Sequence, residues 1–285
     1  YITGSNAYLL SGELATLLSG RYVEIKMLPL SFKEYVSAFP EDSNKDRLYQ
    51  QYLHNSSFPY TLELKRPKDI RQYLEGIYDS IVLKDIVTRK RFQDVDMLKS
   101  VVRFLFDNIG NMCSTKKIAD TMTSAGRKIS VHTVESYLTA LTDSFIFYRV
   151  GRYDIKGKQY LKTGDKYYAA DIGLRYNVLG TKKADEGHIL ENIVYLELLR
   201  RGYEVYVGKV GAAEVDFIAI GDEGEEYYQV AYTVIDADGS TLARELAPLD
   251  AINDHNPKYL LTMDFTPLTS HNGIKQINAL DWLLK

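Results

Sequence analysis

The sequence is poor in several features that define common protein classes. It has one cysteine, Cys113, among 285 residues, so an internal disulfide is excluded and a reducing cytoplasm fits best. No apolar run approaches the ~20 residues that a membrane-spanning helix needs, and no signal peptide is visible. Five scattered histidines and a lone cysteine form no zinc-binding motif. We therefore expect a cytoplasmic protein without a membrane span or a zinc site.

Several short motifs of nucleotide binding and hydrolysis are also missing. The chain contains no G-x-x-x-x-G-K-[ST], no G-x-G-x-x-G and no G-x-S-x-G. We therefore do not expect the chain as given to hydrolyse ATP. It begins at Tyr1, inside a strand-like segment and without Met, which suggests a piece of a longer protein.

The charge of the chain is unevenly distributed. Residues 84–166 hold 16 Lys and Arg against 9 Asp and Glu, a net of +7, whereas the whole chain has a net charge of -3. A basic middle between acidic flanks suggests a polyanionic partner, DNA or RNA. A solvated surface or a contact between domains explains the same asymmetry equally well.

Hydrophobic periodicity divides the first third of the chain into short elements. Residues 1–35 predict a strand end, a helix rich in leucine and a strand from Tyr22 to Met27. Ser31 followed by Glu34 predicts a capping box at the next helix. Residues 36–92 predict a helical linker, including a long helix that is capped by Asp69 and runs to about Thr88.

Residues 93–180 have the rhythm of a winged helix. The pattern predicts a helix from Asp96 to Ile109, a second that starts at Ser114 and a third that starts at Ser130, followed by two strands around a basic loop. The exposed face of the third helix carries Glu135, which would repel phosphate, and no Arg or Lys. Basic side chains nearby suit contacts with a nucleic-acid backbone: Arg127, Lys128, Arg152, Lys156, Lys158 and Lys162. A surface for protein contacts is the alternative.

Residues 181–285 predict a helix with two short strands after it. The helix carries Glu191, the first strand carries Asp216 and the second carries Gln229. Strict alternation predicts that Glu214 and Asp216 share one face of their strand, while Val215, Phe217 and Ala219 share the other.

This order of side chains resembles the PD-(D/E)xK nuclease core. The resemblance implies that Glu191 and Asp216 bind Mg²⁺ and that Gln229 orients a ligand or a water molecule, because hard oxygen ligands suit Mg²⁺. The lysine of that motif is replaced by Ala231, which puts cleavage in doubt. Lys209 is a candidate substitute from another direction.

The segments TGSN, LSGR, LPLSFKEY and KYYAADIGL together resemble a prokaryotic family of AAA-type ATPases with a C-terminal domain of unknown function. The resemblance implies ATP and Mg²⁺ as ligands of the parent protein. It places Ser5 and Asn6 near the γ-phosphate, and Arg21 near nucleotide or a neighbouring subunit of an oligomer. Asp171 is interpreted as a metal or hinge residue, or as a helix cap.

We therefore expect a mixed α/β protein in four parts: residues 1–35, the end of a AAA-type domain; 36–92, a helical linker; 93–180, a winged helix; and 181–285, a nuclease-like α/β/α core. Three functions remain open. The chain is the C-terminal portion of a AAA-type ATP-binding protein that binds nucleic acid or a partner, an active Mg²⁺-dependent DNA nuclease, or a structural module for protein interactions.

Overall fold

Local capping signals set where several helices begin. In this computed structural model, which describes residues 21, 23, 25–90, 92–180, 185–265 and 269–285, the Ser31 hydroxyl accepts a hydrogen bond from the Glu34 amide at 3.0 Å. The Glu34 carboxylate accepts one from the Ser31 amide at 2.7 Å. The predicted capping box is therefore confirmed. Ser114 and Ser130 also cap the helices that follow them, as predicted.

The N-terminal elements are mostly helical and differ from the prediction in two places. They are α1 (Phe32–Ser37), α2 (Lys45–Asn55), a 3-10 turn (Pro59–Glu63), α3 (Pro67–Tyr78), a π-helical stretch (Asp79–Val87) and a short turn (Thr88–Lys90).

The predicted Asp69 cap is wrong, whereas the helical path to about Thr88 is present as α3, the π-helical stretch and Thr88–Lys90. The helix starts three residues earlier than an Asp69 cap requires, because Pro67 fits the first turn, and Asp69 pairs with the Arg66 side chain at 2.7 Å. The strand predicted for residues 22–27 is also wrong for the members that the structure describes, 23 and 25–27, none of which lies in a strand.

The middle of the chain has three helices and three strands, followed by a further helix. They are α4 (Val95–Asp107), β1 (Met112–Cys113), α5 (Thr115–Ser124), α6 (Val131–Asp143), β2 (Phe147–Asp154), β3 (Gln159–Ala169) and α7 (Ile172–Leu179). The three predicted helices and the two predicted strands around a loop are present. The two-residue strand β1 was not predicted; it pairs with the end of β3.

The remaining elements form a helix–three strands–helix–strand unit with a C-terminal extension. They are α8 (Glu186–Arg200), β4 (Glu204–Val210), β5 (Ala213–Gly221), β6 (Gly224–Ala231), α9 (Ser240–Asp250), β7 (Lys258–Thr262), β8 (Thr269–His271), β9 (Ile274–Asn278) and α10 (Ala279–Leu283).

One sheet contains the nine strands of the described residues, in the order β1-β3-β2-β4-β5-β6-β7-β9-β8. The pairs β2–β4, β6–β7 and β7–β9 are parallel and the other pairs are antiparallel. The predicted mixed α/β class is confirmed. The sheet continues across residue 180, where the sequence suggested a boundary, because β2 pairs directly with β4.

The sheet is covered on both faces by helices. Helix α8 packs on one face and is buried over ten consecutive residues, 189–198. Helix α9 packs on the other face through Leu249, next to Ile218 and Leu260. Among the described residues, no helix combines the length and the apolar character needed to span a membrane.

Candidate functional site

A buried lysine lies among three carboxylates where β3, α8 and β5 meet. The Lys166 ammonium is 2.7 Å from Glu214 Oε1, 3.0 Å from Glu191 Oε1 and 3.8 Å from Asp216 Oδ1. The side chains of Lys166 and Glu191 are only 5% and 7% exposed. We call these four residues the Lys166 cluster. They come from three elements that are distant in sequence, so the cluster exists only in the folded chain.

Hydrogen bonds fix α8 against β3 at this point. The Asn192 side chain accepts from the Ala169 amide at 2.7 Å and donates to the Ala169 carbonyl at 2.9 Å. The Tyr168 hydroxyl donates to Glu191 Oε1 at 2.5 Å. Because Lys166 and Tyr168 are two residues apart on β3, both reach the same carboxylate. Glu191 is therefore held by two donors from one strand.

A β-bulge in β5 directs Asp216 into the cluster. Tyr206 pairs with Ile218 and Gly208 pairs with Val215, so one residue of β4 faces both Asp216 and Phe217. Val215 and Ile218 belong to the core beneath α9, whereas Phe217 belongs to the core beneath α8. The prediction that Phe217 shares a face with Val215 is therefore wrong, because the bulge interrupts the alternation.

Asp216 lies where the backbone pairing of β5 with β6 ends. Its Oδ2 accepts a hydrogen bond from the Val230 amide at 2.8 Å, so a side chain replaces the next rung of the ladder. The Asp216 amide donates to Gln229 Oε1 at 3.3 Å, and Gln229 Nε2 donates to Glu245 of α9 at 2.9 Å. The Gln229 side chain therefore contacts the backbone amide of Asp216, not its carboxylate, and points to the α9 face.

The electrostatics of the Lys166 cluster are unbalanced. Three carboxylates surround one ammonium, which gives a net charge of -2 when all four groups are ionised. Burial, followed by the negative charge of Glu191, raises the pKa of Asp216 well above its usual value, although Lys166 acts in the opposite direction. Burial disfavours the Lys166 ammonium, but the neighbouring carboxylates outweigh burial and raise its pKa. Lys166 is therefore a fixed cation near neutral pH.

The cluster leaves one acceptor without a partner. Glu214 Oε2 is buried and, within the described part of the chain, accepts no hydrogen bond. A buried carboxylate oxygen without a donor is costly. No group of three or more His, Cys, Asp or Glu among the described residues is arranged to hold a metal ion as it stands. The carboxylates converge on the Lys166 ammonium instead.

A glycine after α4 approaches the cluster next to β3, where its amide donates to the Tyr167 carbonyl at 3.2 Å. A Cβ at Gly110 would lie 3.2 Å from Glu191 Oε2 and 2.9 Å from His188 Cδ2, and the backbone there has φ +74°. Glycine is therefore required by both space and conformation. His188, three residues before Glu191 on α8, also lies beside Gly110.

Sequence reasoning missed Lys166 and the role of Glu214. Lys209, the candidate substitute for the missing lysine, is the cross-strand partner of Glu214. The ammonium that contacts the carboxylates belongs to Lys166, from β3. A usable signal was the Lys166-x-Tyr168 spacing, which places two donors on one strand face.

The basic residues proposed to bind nucleic acid have different surroundings. Lys128, Lys156 and Lys158 are exposed. Arg127 pairs with Asp94 at 3.2 Å. The partly buried Arg152 has a buried Nε without a hydrogen-bond partner in the described structure.

The acid on the third helix shares an arginine with a second acid. Glu135 of α6 pairs with Arg149 at 2.8 Å, and Arg149 also pairs with Asp165 at 2.6 Å. The expected repulsion of phosphate by Glu135 is therefore weaker than the sequence suggests.

Most of the residues predicted to bind nucleotide lie outside the described residues. Ser5 and Asn6 lie outside the described residues, and Arg21 is exposed. Asp171 caps α7 by accepting from the Leu174 amide at 2.6 Å. Its other oxygen accepts from the amide and hydroxyl of Ser57 at 2.7 and 2.6 Å, so Asp171 also joins the α2–α3 region to the sheet.

Two segments of the chain match models of known families. Residues 1–36 match the model of a AAA domain, so the predicted AAA-type region is confirmed at that level. Residues 46–185 match a domain of unknown function (DUF8612). This is a mixed α/β protein with a AAA-related N-terminal region.

The relatives are themselves uncharacterized. An uncharacterized protein of Haemophilus influenzae is 46% identical over 287 residues, which cover 100% of this chain and 70% of that protein. The chain therefore belongs to the same family as the Haemophilus protein. The uncharacterized protein MJ1544 of Methanocaldococcus jannaschii is 29% identical over 246 residues, 81% of this chain and 55% of that protein. No solved structure matches the chain.

Proposed function

We propose that this chain is part of a AAA-type ATP-binding protein and that its Lys166 cluster is a nuclease-like site for Mg²⁺-dependent cleavage of nucleic-acid phosphodiesters. The observation that carries the proposal is the buried cluster of three carboxylates around Lys166. The sequence put cleavage in doubt because Ala231 replaces the motif lysine. Lys166 supplies a cation to the same two acids, Glu191 and Asp216, from a different strand.

The charge of the cluster suits a divalent cation. The net charge of -2 becomes zero when one Mg²⁺ binds, and Glu214 has a free buried oxygen to offer. Carboxylate oxygens of Glu191, Glu214 and Asp216 would hold the ion, after the side chains turn from the Lys166 ammonium. Bound Mg²⁺ would activate water and polarise the phosphoryl group.

The chain's own groups have defined roles in this proposal. Lys166 is protonated in the cluster, because the neighbouring carboxylates raise its pKa, and its ammonium would stabilise negative charge on phosphate oxygens. Tyr168 and Asn192 hold Glu191 and α8 in place. Gln229 positions the backbone of Asp216.

The test combines metal binding with cleavage. We expect Mg²⁺ or Mn²⁺ to raise the melting temperature and to support cleavage of a labelled DNA strand. Glu191→Gln and Asp216→Asn should abolish both effects, and Lys166→Met should lower cleavage by at least about 100-fold. Matched controls at exposed positions are Glu223→Gln, Asp222→Asn and Lys65→Met. Cleavage that survives both acid substitutions, or no effect of metal on the wild type, refutes the proposal.

A second candidate function is nucleic-acid binding without cleavage through the winged-helix-like part. It is favoured by the exposed Lys128, Lys156 and Lys158 and by the pairing of Glu135 with Arg149. The double substitution Lys156→Ala, Lys158→Ala should weaken DNA binding and lower the salt dependence by about two units of slope. Lys65→Ala with Lys68→Ala, two exposed lysines elsewhere, is the control. An unchanged salt slope argues for a protein-interaction module instead.

A further inference from the structure

Three tyrosines form a continuous aromatic surface beside the turn between β2 and β3. The ring centroids of Tyr160 and Tyr153 are 5.3 Å apart, those of Tyr160 and Tyr206 are 5.1 Å apart, and those of Tyr153 and Tyr206 are 6.2 Å apart. Tyr153 is buried at 8% exposure, whereas Tyr160 is 62% exposed. We call these residues the tyrosine surface. Its outermost ring is backed by two others and remains open to a ligand.

The tyrosine surface is part of the sheet and is held rigidly. Tyr160 and Tyr153 are cross-strand partners, and Tyr153 is in register with Gly208 of β4. The side chain of Asp154 accepts from the Gly157 amide at 3.0 Å, and the Ile155 amide donates to the Lys209 carbonyl at 2.9 Å. The turn is therefore fixed to β4, and little entropy is lost when a ligand binds there.

Helix α9 does not cover this part of its face of the sheet. It packs against β5, β6, β7 and β9, while the tyrosines lie on β2, β3 and β4. Tyr153 belongs to the same core cluster as Leu249 of α9, which places the tyrosine surface on that face. The exposed ring of Tyr160 therefore continues the apolar core of this face past the edge of α9.

Two lysines give this surface a charge that selects its ligand. Lys156 and Lys158 are exposed at the turn next to Tyr160, and Lys158 has φ +48°. The Tyr206 hydroxyl donates to Glu204 at 3.2 Å, and its ring packs against that of Tyr160 in a tilted arrangement. An exposed aromatic ring beside exposed cations matches the flat bases and the phosphates of an unpaired strand. Bases within a duplex offer no free face.

We infer that the tyrosine surface and the adjacent Lys156 and Lys158 form a binding platform for single-stranded nucleic acid, with one base stacked on Tyr160. The platform and the Lys166 cluster are close in the sheet register, since Asp154 is level with Lys209 and Lys209 is level with Glu214, but the platform lies on the α9 face and the cluster lies beneath α8. The inference specifies the substrate of the proposed function and rests on it to that extent. Binding without cleavage is nevertheless measurable by itself.

The test measures binding in EDTA, so cleavage does not enter. Fluorescence anisotropy of the protein with a labelled oligodeoxythymidine and with a blunt duplex of the same length compares the two forms. We expect tighter binding of the single strand. Tyr160→Ala should weaken it about five- to 150-fold, as loss of one stacked base does. Tyr160→Phe, which keeps the ring, should restore binding, and Tyr60→Ala, at another tyrosine that is 55% exposed, should leave it unchanged.

Several results overturn the inference. They are equal binding of single strand and duplex, no effect of Tyr160→Ala, an equal loss with Tyr160→Phe, or no binding by the wild type. If Lys156→Ala with Lys158→Ala removes binding while Tyr160→Ala does not, the contact is electrostatic only and the platform is refuted. A protein that binds the single strand as expected but shows no metal-dependent cleavage retains the platform and loses the nuclease proposal.

Discussion

Replacing Lys166 by methionine tests the electrostatics of the buried cluster directly. The substitution removes the one ammonium within 4 Å of Glu191, Glu214 and Asp216 but keeps an apolar side chain of similar length. Removing one partner of a buried ion pair costs about 3–5 kcal/mol, because the remaining charge is left uncompensated. Three carboxylates share this lysine, so we expect a destabilisation of about that size at pH 7.

The loss should depend on pH in a defined direction. Without Lys166, the folded-state pKa of Asp216, which burial already raises, lies further above its unfolded-state pKa. Such a group contributes stability when protonated and loses it as the pH rises. The difference between Lys166→Met and wild type should therefore shrink as the pH falls towards 4.

Urea unfolding of both proteins across this pH range, with Lys156→Met as the exposed control, provides the measurement. The control should change stability by less than about 0.5 kcal/mol. The reasoning is refuted if Lys166→Met costs less than about 1 kcal/mol at pH 7, or if its cost does not change with pH.

Three further predictions concern other contacts of the fold. Asp216→Asn should flatten the pH dependence of stability from about pH 4 upwards, because burial raises the pKa of Asp216 and the wild type loses that contribution as the pH rises. Thermal melts at several pH values, with Asp222→Asn as the control, provide the measurement. Equal slopes of melting temperature against pH in Asp216→Asn and wild type would contradict this. Gly173→Ala should destabilise the protein by about 1–3 kcal/mol, because a Cβ there would lie 2.5 Å from the Ser56 Cα. A Cβ at Gly76 would have no atom within 4 Å, so Gly76→Ala should be neutral or stabilising. Urea unfolding that ranks the two variants in the opposite order would contradict the close contact at Gly173. Arg201→Ala should lower the free energy of unfolding by about 1–2 kcal/mol, because the guanidinium lies 3.9 Å from the Trp282 ring centroid and donates to the Trp282 carbonyl. The single tryptophan reports the change by fluorescence. An unaltered emission spectrum would contradict the contact between Arg201 and Trp282.

Local chemistry made parts of the fold predictable. The Ser31–Glu34 capping box depends on residues three positions apart, so the sequence contains the whole interaction. The strand Lys258–Thr262 is a short apolar run between turn residues, a pattern that specifies a short buried strand. Signals of this kind do not depend on the rest of the chain.

Other features could not be read from local patterns. The bulge at Asp216 depends on how β5 pairs with β4, and alternation along one strand does not reveal an extra residue. Asp171 contacts Ser57, which is 114 positions away. Lys166 meets Glu191 only because β3 packs under α8, so the sequence suggested a lysine closer to Asp216, namely Lys209.

The unbalanced charge of the Lys166 cluster is difficult to explain as a device for stability alone. Buried ion pairs are weak stabilisers, and apolar side chains of similar volume often serve as well or better. Here burial and, after it, the excess negative charge cost free energy, as the raised pKa of Asp216 and the unpaired Glu214 oxygen indicate. A cluster that gains by binding two positive charges has a physical reason to recruit a divalent cation. Stabilisation by Mg²⁺ in the wild type, together with its absence in Asp216→Asn, is therefore the observation that separates a metal site from an ion pair with only a structural role.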